Sequence, residues 1–302
     1  MSLLKELSRQ LMQVEPAIVN VARNASFRYK TFFVPKRTGG QRRIDHPSRE
    51  LKAVQRALLH YHISAWPVHP SAMAYRPERN NILMNAEQHA ASCYLLRMDF
   101  SDFFPSITGQ DIRKYLESAE PEWIEVDRDL FVSLVTLQDR LTIGAPSSPA
   151  LSNAICFELD VQLSQHAERY GAKYTRYADD LFFSCAARDV LGKFPGDVTA
   201  IVDSLPIPAE LAINPAKTRH SSKRARRRVT GLTLGSDARV HVGRGRKREV
   251  RAMIHKWNAL GADQRRRLAG MLGFIRDIDP DFINSLILKY GASAVAKAAK
   301  GA

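Results

Sequence analysis

A mixed α+β fold is the class that this sequence of 302 residues predicts. Three observations carry it: helical and strand periodicities both occur, they do not alternate in strict βαβ order, and no internal repeat or low-complexity linker interrupts them. The length is ample for a sizeable core. With 45% hydrophobic and 25% charged residues, the composition excludes wholesale disorder, collagen and coiled coil.

In chain order, Leu3, Leu4, Leu7, Leu11, Val14 and Ile18 recur near helical period over residues 3–23. Tyr29–Pro35 is β-prone, and a turn at Thr38-Gly39-Gly40 leads into a second β-like piece, Arg42–Asp45, which predicts a hairpin. Over residues 49–65, Leu51, Val54, Leu58 and Ile63 share one helical face until Pro67 and Pro70 end it. Leu95–Asp99 is a short apolar strand running into the aromatic stretch Phe100–Pro105. A helix with Asp111 near its start follows, then one over about 126–138 and the loop Ile143–Pro149. Pro149 suits the first turn of an apolar helix over 150–166, where its missing N–H is not needed. Lys173–Tyr177 and Leu181–Cys185 flank Asp179-Asp180 as a second hairpin. Helical patterns over 248–259, 264–277 and 281–290 complete the chain.

The formal charge of +14 is concentrated. Residues 217–256 carry 14 basic and 2 acidic side chains, whereas residues 1–216 carry 24 basic and 25 acidic ones. A solvated charged face normally alternates in sign. One-signed charge at this density points to a phosphate-backbone ligand ahead of an anionic membrane surface. No stretch approaches the roughly 18 apolar residues of a membrane span, and the charged N-terminus does not read as a secretory signal. Cys93, Cys156 and Cys185, odd in number and widely spaced, suit reduced core thiols in a cytoplasm.

The sharpest chemical feature is Tyr177-Ala178-Asp179-Asp180 at the hairpin tip. A lone Asp-Asp is a common surface turn, but Arg176-Tyr177 and Leu181-Phe182-Phe183 would aim this pair out of a buried sheet. Adjacent carboxylates repel, and a Mg²⁺ ion held by one or two carboxylates plus substrate phosphates relieves that repulsion. Asp99, at the end of an apolar strand, also needs a partner or a metal if buried. Together they allow a two-metal site, in which one ion activates the attacking hydroxyl and the other stabilises the leaving oxygen. Asp102 reads as a helix N-cap.

These residues, with Arg176 before them, resemble the catalytic hairpin of reverse transcriptases. Further blocks follow in that family's order over residues 30–235. Lys36…Gly39-Gly40-Gln41-Arg42-Arg43-Ile44…Pro47 with Leu51-Lys52…Gln55 is similar to the fingers block, Asp99–Ile107 to the first-aspartate block, Gly144–Asn153 to the Gly-Pro-Ser block and Ile213–Thr218 to the lysine block. Asn85-Ala86-Glu87-Gln88-His89 and Val229-Thr230-Gly231 resemble the two signatures of the retron branch. Taken alone, His89 is more often a satisfied core histidine.

The resemblance implies a right-hand polymerase fold. The N-terminal helix and fingers would occupy residues 1–95, the palm 96–235 with a fingers-side helical insertion at about 110–142, and a short helical thumb 236–302. Asp99, Asp179 and Asp180 would be the metal-binding catalytic triad for two Mg²⁺ ions, and Lys217 would support the departing pyrophosphate. Lys36 and Arg43, with Arg42 as a substitute, would hold the incoming triphosphate. Phe104 would be the aromatic gate against a 2′-hydroxyl, and Gly144 and Ala145 would supply backbone contacts, because Ile143 stands where many relatives have Gln. Asn85, His89, Arg226, Arg227, Arg228, Val229, Thr230, Gly231, Arg244, Arg246, Lys247, Arg248 and Arg251 would serve RNA binding, the last five on a helix whose apolar face is Val250, Ile254 and Trp257.

The implied activity is synthesis of branched multicopy single-stranded DNA from dNTPs on a cognate structured non-coding RNA, primed by an internal guanosine 2′-hydroxyl. A bacterial cytoplasm, an effector protein, a role in phage defence and a separate host ribonuclease H come with it. The last follows because no such domain would fit in the remaining ~70 residues, given typical domain sizes. Two other readings stand beside this one: a reverse transcriptase of intron-derived or abortive-infection lineage, and a catalytically silent RNA-binding scaffold.

Overall fold

The computed structural model describes residues 2–36, 39–77 and 81–301; Thr38, expected in the first hairpin turn, lies outside them. In chain order the elements are α1 (Leu3–Leu11), α2 (Glu15–Arg23), β1 (Tyr29–Pro35), β2 (Gln41–Pro47), α3 (Arg49–Tyr61), α4 (Asn81–Ala90), β3 (Tyr94–Asp99), α5 (Gly109–Ala119), α6 (Glu125–Val135), α7 (Ser148–Ile155) and α8 (Phe157–Arg169). They continue with β4 (Lys173–Tyr177), β5 (Asp180–Cys185), α9 (Phe194–Ser204), β6 (Arg219–Ser222), β7 (Arg228–Val229), β8 (Leu232–Leu234), β9 (Val240–His241), α10 (Arg244–His255), α11 (Ala262–Ile278), α12 (Pro280–Tyr290) and α13 (Ala292–Lys300).

The described residues form three sheets: the β1–β2 hairpin, a four-stranded sheet of order β4–β5–β3–β6, and a small β7–β8–β9 sheet. The chain divides into two compact units. The first comprises Met1–Tyr75, Arg97–Leu181 and Gly192–Arg219; the second comprises Arg76–Leu96, Phe182–Leu191 and His220–Ala302.

In the first unit α1 packs on α2, α3 and α6, burying Leu3, Leu7, Leu51, Leu58 and Phe131. The 3–23 periodicity yields two helices instead of one. Met12 takes a left-handed conformation (φ 50°) and Val14 an extended one. Pro16 then lies in the first turn of α2, the one part of a helix that tolerates it. The 150–166 pattern is likewise broken at Cys156, between α7 and α8. Helix α3 begins where the Ser48 hydroxyl accepts from the Leu51 N–H, and α5 begins with a reciprocal cap between Thr108 and Asp111. The cap is therefore Thr108, not Asp102, which sits in a turn at φ 42°.

In the second unit α4 packs on β7, β8 and β9, and α10 packs on α11, α12 and α13. Val229, Leu232, Val250, Leu268, Leu272, Ile275 and Leu286 form its core. Trp257 lies beyond α10 in a short 3-10 turn, with the Arg265 guanidinium 4.8 Å above its ring. The three cysteines are free thiols, and burial pushes the Cys156 pKa up to about 12, so it remains a protonated core side chain.

Candidate active site and nucleic-acid interface

The β4–β5 hairpin reverses through Ala178 in the left-handed region (φ 57°), which places Asp179 and Asp180 at its tip. Asp99 ends β3 beside them, and the Phe100 N–H donates to the Asp179 carbonyl at 3.0 Å. The carboxylate of Asp99 is buried and accepts from Lys217 Nζ at 2.5 Å. Asp180 accepts from Arg97 Nε and Nη2 at 3.0 and 2.7 Å. Burial and the nearby Asp99 hold the Asp179 pKa above the usual carboxylate range. Burial raises Asp180 to about 6 against the pull of Arg97, with Asp179 and Asp99 adding to the rise. The sequence thus brings all three aspartates and Lys217 into one group.

Oxygen donors desolvated and crowded to this degree fit a hard divalent cation. Among the described residues, no three of His, Cys, Asp and Glu already converge to ligate one. Asp99 is turned toward Lys217 and Asp180 toward Arg97, so two protein cations answer the charge.

The hairpin is held from below by a network that sequence reading did not pick out. Arg176 is fully buried and grips Asp160 through Nε and Nη2 at 2.8 and 2.6 Å. Its Nη1 donates to Asn153 Oδ1 at 3.2 Å and to the Ala178 carbonyl at 3.4 Å, and the Tyr174 hydroxyl donates to Asp160 at 2.8 Å. Asn153 ends the Gly-Pro-Ser block and Arg176 precedes Tyr177, so the signal lay in the motif flanks. The partner, Asp160, lies on the helical pattern as an ordinary polar residue.

Strand alternation separates the fingers arginines. Arg42 pairs opposite Val34 and Arg43 opposite Phe33. Arg43 bonds Asp45 at 2.9 Å on its own face, whereas the charge of Arg42 acts on Asp179. Between the two candidates, Arg42 is the one whose charge is felt at Asp179, and Lys36 is exposed just beyond β1. The Gly144 loop packs on β2 through a 2.8 Å bond from the Asp45 N–H to the Ile143 carbonyl. A Cβ on Gly144 would stand 2.5 Å from the Asp45 carbonyl oxygen, and φ is +126°, so glycine is required there. Ala145 is buried and Gly144 exposed. Phe104 is half-buried, its ring 5.4 Å from that of Phe103 and 6.3 Å from that of Tyr75.

In the second unit, the RNA-binding expectations divide by exposure. Asn85, His89, Arg227 and Val229 are buried, so these side chains do not form a contact surface. His89 Nδ1 lies 2.7 Å from Ser184 Oγ, which bonds Ser92 Oγ at 3.0 Å. Arg227 donates to the carbonyls of Ser92, Ala90 and Gly235. The Thr230 hydroxyl donates to the Ile82 carbonyl of α4 at 3.0 Å. The Asn85…His89 and Val229-Thr230-Gly231 segments, distant in sequence, are therefore two halves of one packed platform. Arg226, Arg228, Gly231, Arg244, Arg248 and Arg251 are exposed. Lys247 instead pairs with the buried Asp279 at 2.7 Å, and Arg246 lies over the Phe274 ring.

Residues 34–234 match the family model described as reverse transcriptase (RNA-dependent DNA polymerase). The chain is 34% identical over 277 residues to the retron Ec83 reverse transcriptase of Escherichia coli, spanning 88% of each chain. It is 33% identical to the retron Ec86 enzyme of the same species, over 91% of this chain and 86% of that one. The chain belongs to the retron reverse transcriptases. This retron-type enzyme is an RNA-directed DNA polymerase, and its α+β architecture is the right-hand polymerase fold of that family. It is also 34% identical to the retron Mx65 reverse transcriptase of Myxococcus xanthus, spanning 84% of this chain and 62% of that one. Among solved structures, it is similar to apo telomerase from Candida tropicalis (TM-score 0.48, 10% identity, 90% of this chain and 61% of that one) and to telomerase from Candida albicans in complex with a telomeric RNA fragment (TM-score 0.49, 11% identity, 87% and 56%). No helix among the described residues is long and apolar enough to cross a membrane.

Proposed function

We propose that this retron reverse transcriptase copies part of a cognate structured non-coding RNA into branched multicopy single-stranded DNA, primed from an internal guanosine 2′-hydroxyl. The observation that carries the catalytic half is the joining of Asp99, Asp179 and Asp180 in one desolvated, mutually repelling group. Reverse transcriptases use divalent metal ions. Here Asp99, Asp179 and Asp180 would hold two Mg²⁺ ions, which supply activation of the attacking hydroxyl and neutralisation of the leaving pyrophosphate.

The chain's own residues do the rest. Lys217, released from Asp99, donates charge or a proton to the leaving group. Lys36 and Arg42 bind the triphosphate, with Arg43 held in reserve by Asp45. Gly144 and Ala145 offer backbone to the nucleotide, and Phe104 crowds a 2′-hydroxyl. We assign fingers, palm and thumb to residues 1–95, 96–235 and 236–302. The exposed Arg226, Arg228, Arg244, Arg248 and Arg251 anchor the RNA by phosphate contacts, while Asn85, His89, Arg227 and Val229 support the surface around Thr230 and Gly231. A cytoplasmic setting, a separate ribonuclease H and an effector partner in phage defence complete this reading, as the retron resemblance implies.

The test is the nucleic acid that co-purifies with the full chain, resolved by gel with and without ribonuclease and a debranching enzyme. A discrete DNA band that shortens with ribonuclease and shifts on debranching is expected. Mixed RNA without attached DNA would overturn the retron chemistry. Replacing Asp179 and Asp180 together by Asn should abolish synthesis and leave RNA retention intact.

A further inference from the structure

Tyr75 combines three features that packing alone does not explain. Its backbone is left-handed (φ 62°), a conformation in which a bulky non-glycine residue is a genuine outlier that the surroundings must impose. Its side chain is 45% exposed, so burial offers little in return. Its ring also meets that of Phe104, with centroids 6.3 Å apart and planes at 42°.

The surroundings that impose this conformation are the catalytic hairpin itself. The Arg176 N–H donates to the Ser71 carbonyl at 2.8 Å, and the Met73 N–H donates to the Arg176 carbonyl at 2.7 Å. Asn153 Nδ2 donates to the Ala74 carbonyl at 2.9 Å. Ala72, Met73 and Ala74 are buried by these bonds, and Tyr75 emerges at their end. Burial of its hydroxyl end and the nearby Asp179 raise its pKa above the usual phenol value. A strained, half-exposed aromatic pinned by the strand that leads into the Asp179-Asp180 turn is placed for a ligand.

We propose that Tyr75 is a specificity residue of the nucleotide pocket, forming with Phe104 an aromatic pair that grips the sugar of the incoming deoxynucleotide. The pair sets both dNTP affinity and selection against ribonucleotides. This rests on the reading of Phe104 as the pocket wall.

The experiment is steady-state kinetics of the full chain with single dNTPs and rNTPs, alongside thermal unfolding, for Tyr75→Ala, Tyr75→Gly, Tyr75→Phe and Phe104→Ala. Tyr75→Gly keeps the test independent of folding, because glycine adopts this backbone freely and should leave the melting temperature equal or higher. Tyr75→Ala and Tyr75→Gly should raise KM for dNTPs about tenfold, the scale of one lost pocket contact, with kcat little changed. Both should narrow the dNTP-to-rNTP ratio of kcat/KM, as should Phe104→Ala, and the double Ala variant should fall short of additivity. Tyr75→Phe, which keeps the ring, should retain most of the selection that Tyr75→Ala loses. If Phe104→Ala narrows the ratio while Tyr75→Ala and Tyr75→Gly leave KM and the ratio at wild type, this assignment is overturned. If Phe104→Ala also leaves the ratio unmoved, the wall reading falls and takes the pair with it.

Discussion

Among the described residues, the two largest fully buried side chains are both arginines, one in each unit, and they are partnered in opposite ways. Arg176 meets a carboxylate as buried as itself, in a bidentate pair whose remaining donors reach Asn153 and Ala178. Arg227 meets the carbonyls of Ser92, Ala90 and Gly235, and burial lowers its pKa. A charge pair at zero exposure fixes geometry because neither partner can move without stranding the other. Carbonyl dipoles hold a cation in place at lower stakes, since each carbonyl returns to an ordinary amide environment if the cation leaves. The first arrangement stands beneath the β4–β5 hairpin, whose proposed catalytic role makes fractions of an ångström matter to reacting groups. The second ties together segments that support a surface.

The most severe way to break that contrast is Arg176→Met. It should destabilise the chain by about 3–5 kcal/mol, the usual consequence of stranding a buried charge, as measured by denaturant unfolding. Asp160→Leu combined with Arg176→Met should recover most of that stability, because a buried pair is often replaceable by packed apolar side chains. Synthesis should stay impaired in the double variant, since the Ala178 turn loses its tether. Recovery of full synthesis together with stability would show that the pair is structural alone. Arg227→Met should cost less, about 1–3 kcal/mol for carbonyls left unsatisfied. It should weaken retention of RNA without altering the dNTP KM of whatever RNA-bound enzyme remains.

Much of this contrast was legible in the residues, but unevenly. Short-range signals worked: the hairpin around Asp179-Asp180, the strand ending at Asp99, and Pro149 opening α7 all follow from local chemistry. Breaks at Met12–Val14 and Cys156 escape notice because helical period carries across a break of one to three residues without changing phase enough to show. Local patterning does not mark helices α4, α9 and α13; α13 is mostly Ala and Lys, which gives periodicity little contrast. In the site, Arg176 stands out in the sequence only by its place beside Tyr177, and nothing local names Asp160 as its partner, since that pairing depends on how α8 lies against β4. The burial of Arg227 amid exposed arginines was equally invisible, because a basic run reads as a solvated face until the fold chooses one member to bury. Arg97 and Tyr75 matter through tertiary contacts to Asp180 and Phe104, and periodicity does not report those.

The aspartates sharpen the comparison further, because they are buried charges whose compensation is incomplete. In the metal-free protein Asp180 has its pKa raised from 3.8 to about 6. The folded state therefore binds more protons than the unfolded chain between those values. Stability of the metal-free protein should fall as pH rises from about 4 to 6, by on the order of 2 kcal/mol, with the loss fully present above the folded value. Divalent metal should reverse that loss, so the metal-induced rise in melting temperature should grow across the same window and level off above it. Asp180→Asn should flatten the metal-free profile. A wild-type profile that is flat between pH 4 and 6 would mean that Asp180 is better compensated than its surroundings indicate.

The smallest effect is expected from Arg97→Gln. Arg97 is half-exposed, and its bond to Asp180 is screened by solvent, so stability should change by less than about 1 kcal/mol. Its influence belongs to the titration. Arg97 favours the charged form of Asp180, and its loss should move the midpoint of metal-dependent stabilisation upward, by roughly half a pH unit for a partly screened pair. Well above that midpoint the sign should reverse, because the neutral side chain no longer competes with the metal for the carboxylate, and metal should bind slightly more tightly than to wild type. Melting curves against metal concentration at pH 5.5 and pH 8 separate these effects. Weaker binding at both values would instead make Arg97 a support that orients Asp180 for the metal, as Arg176 supports the hairpin from below.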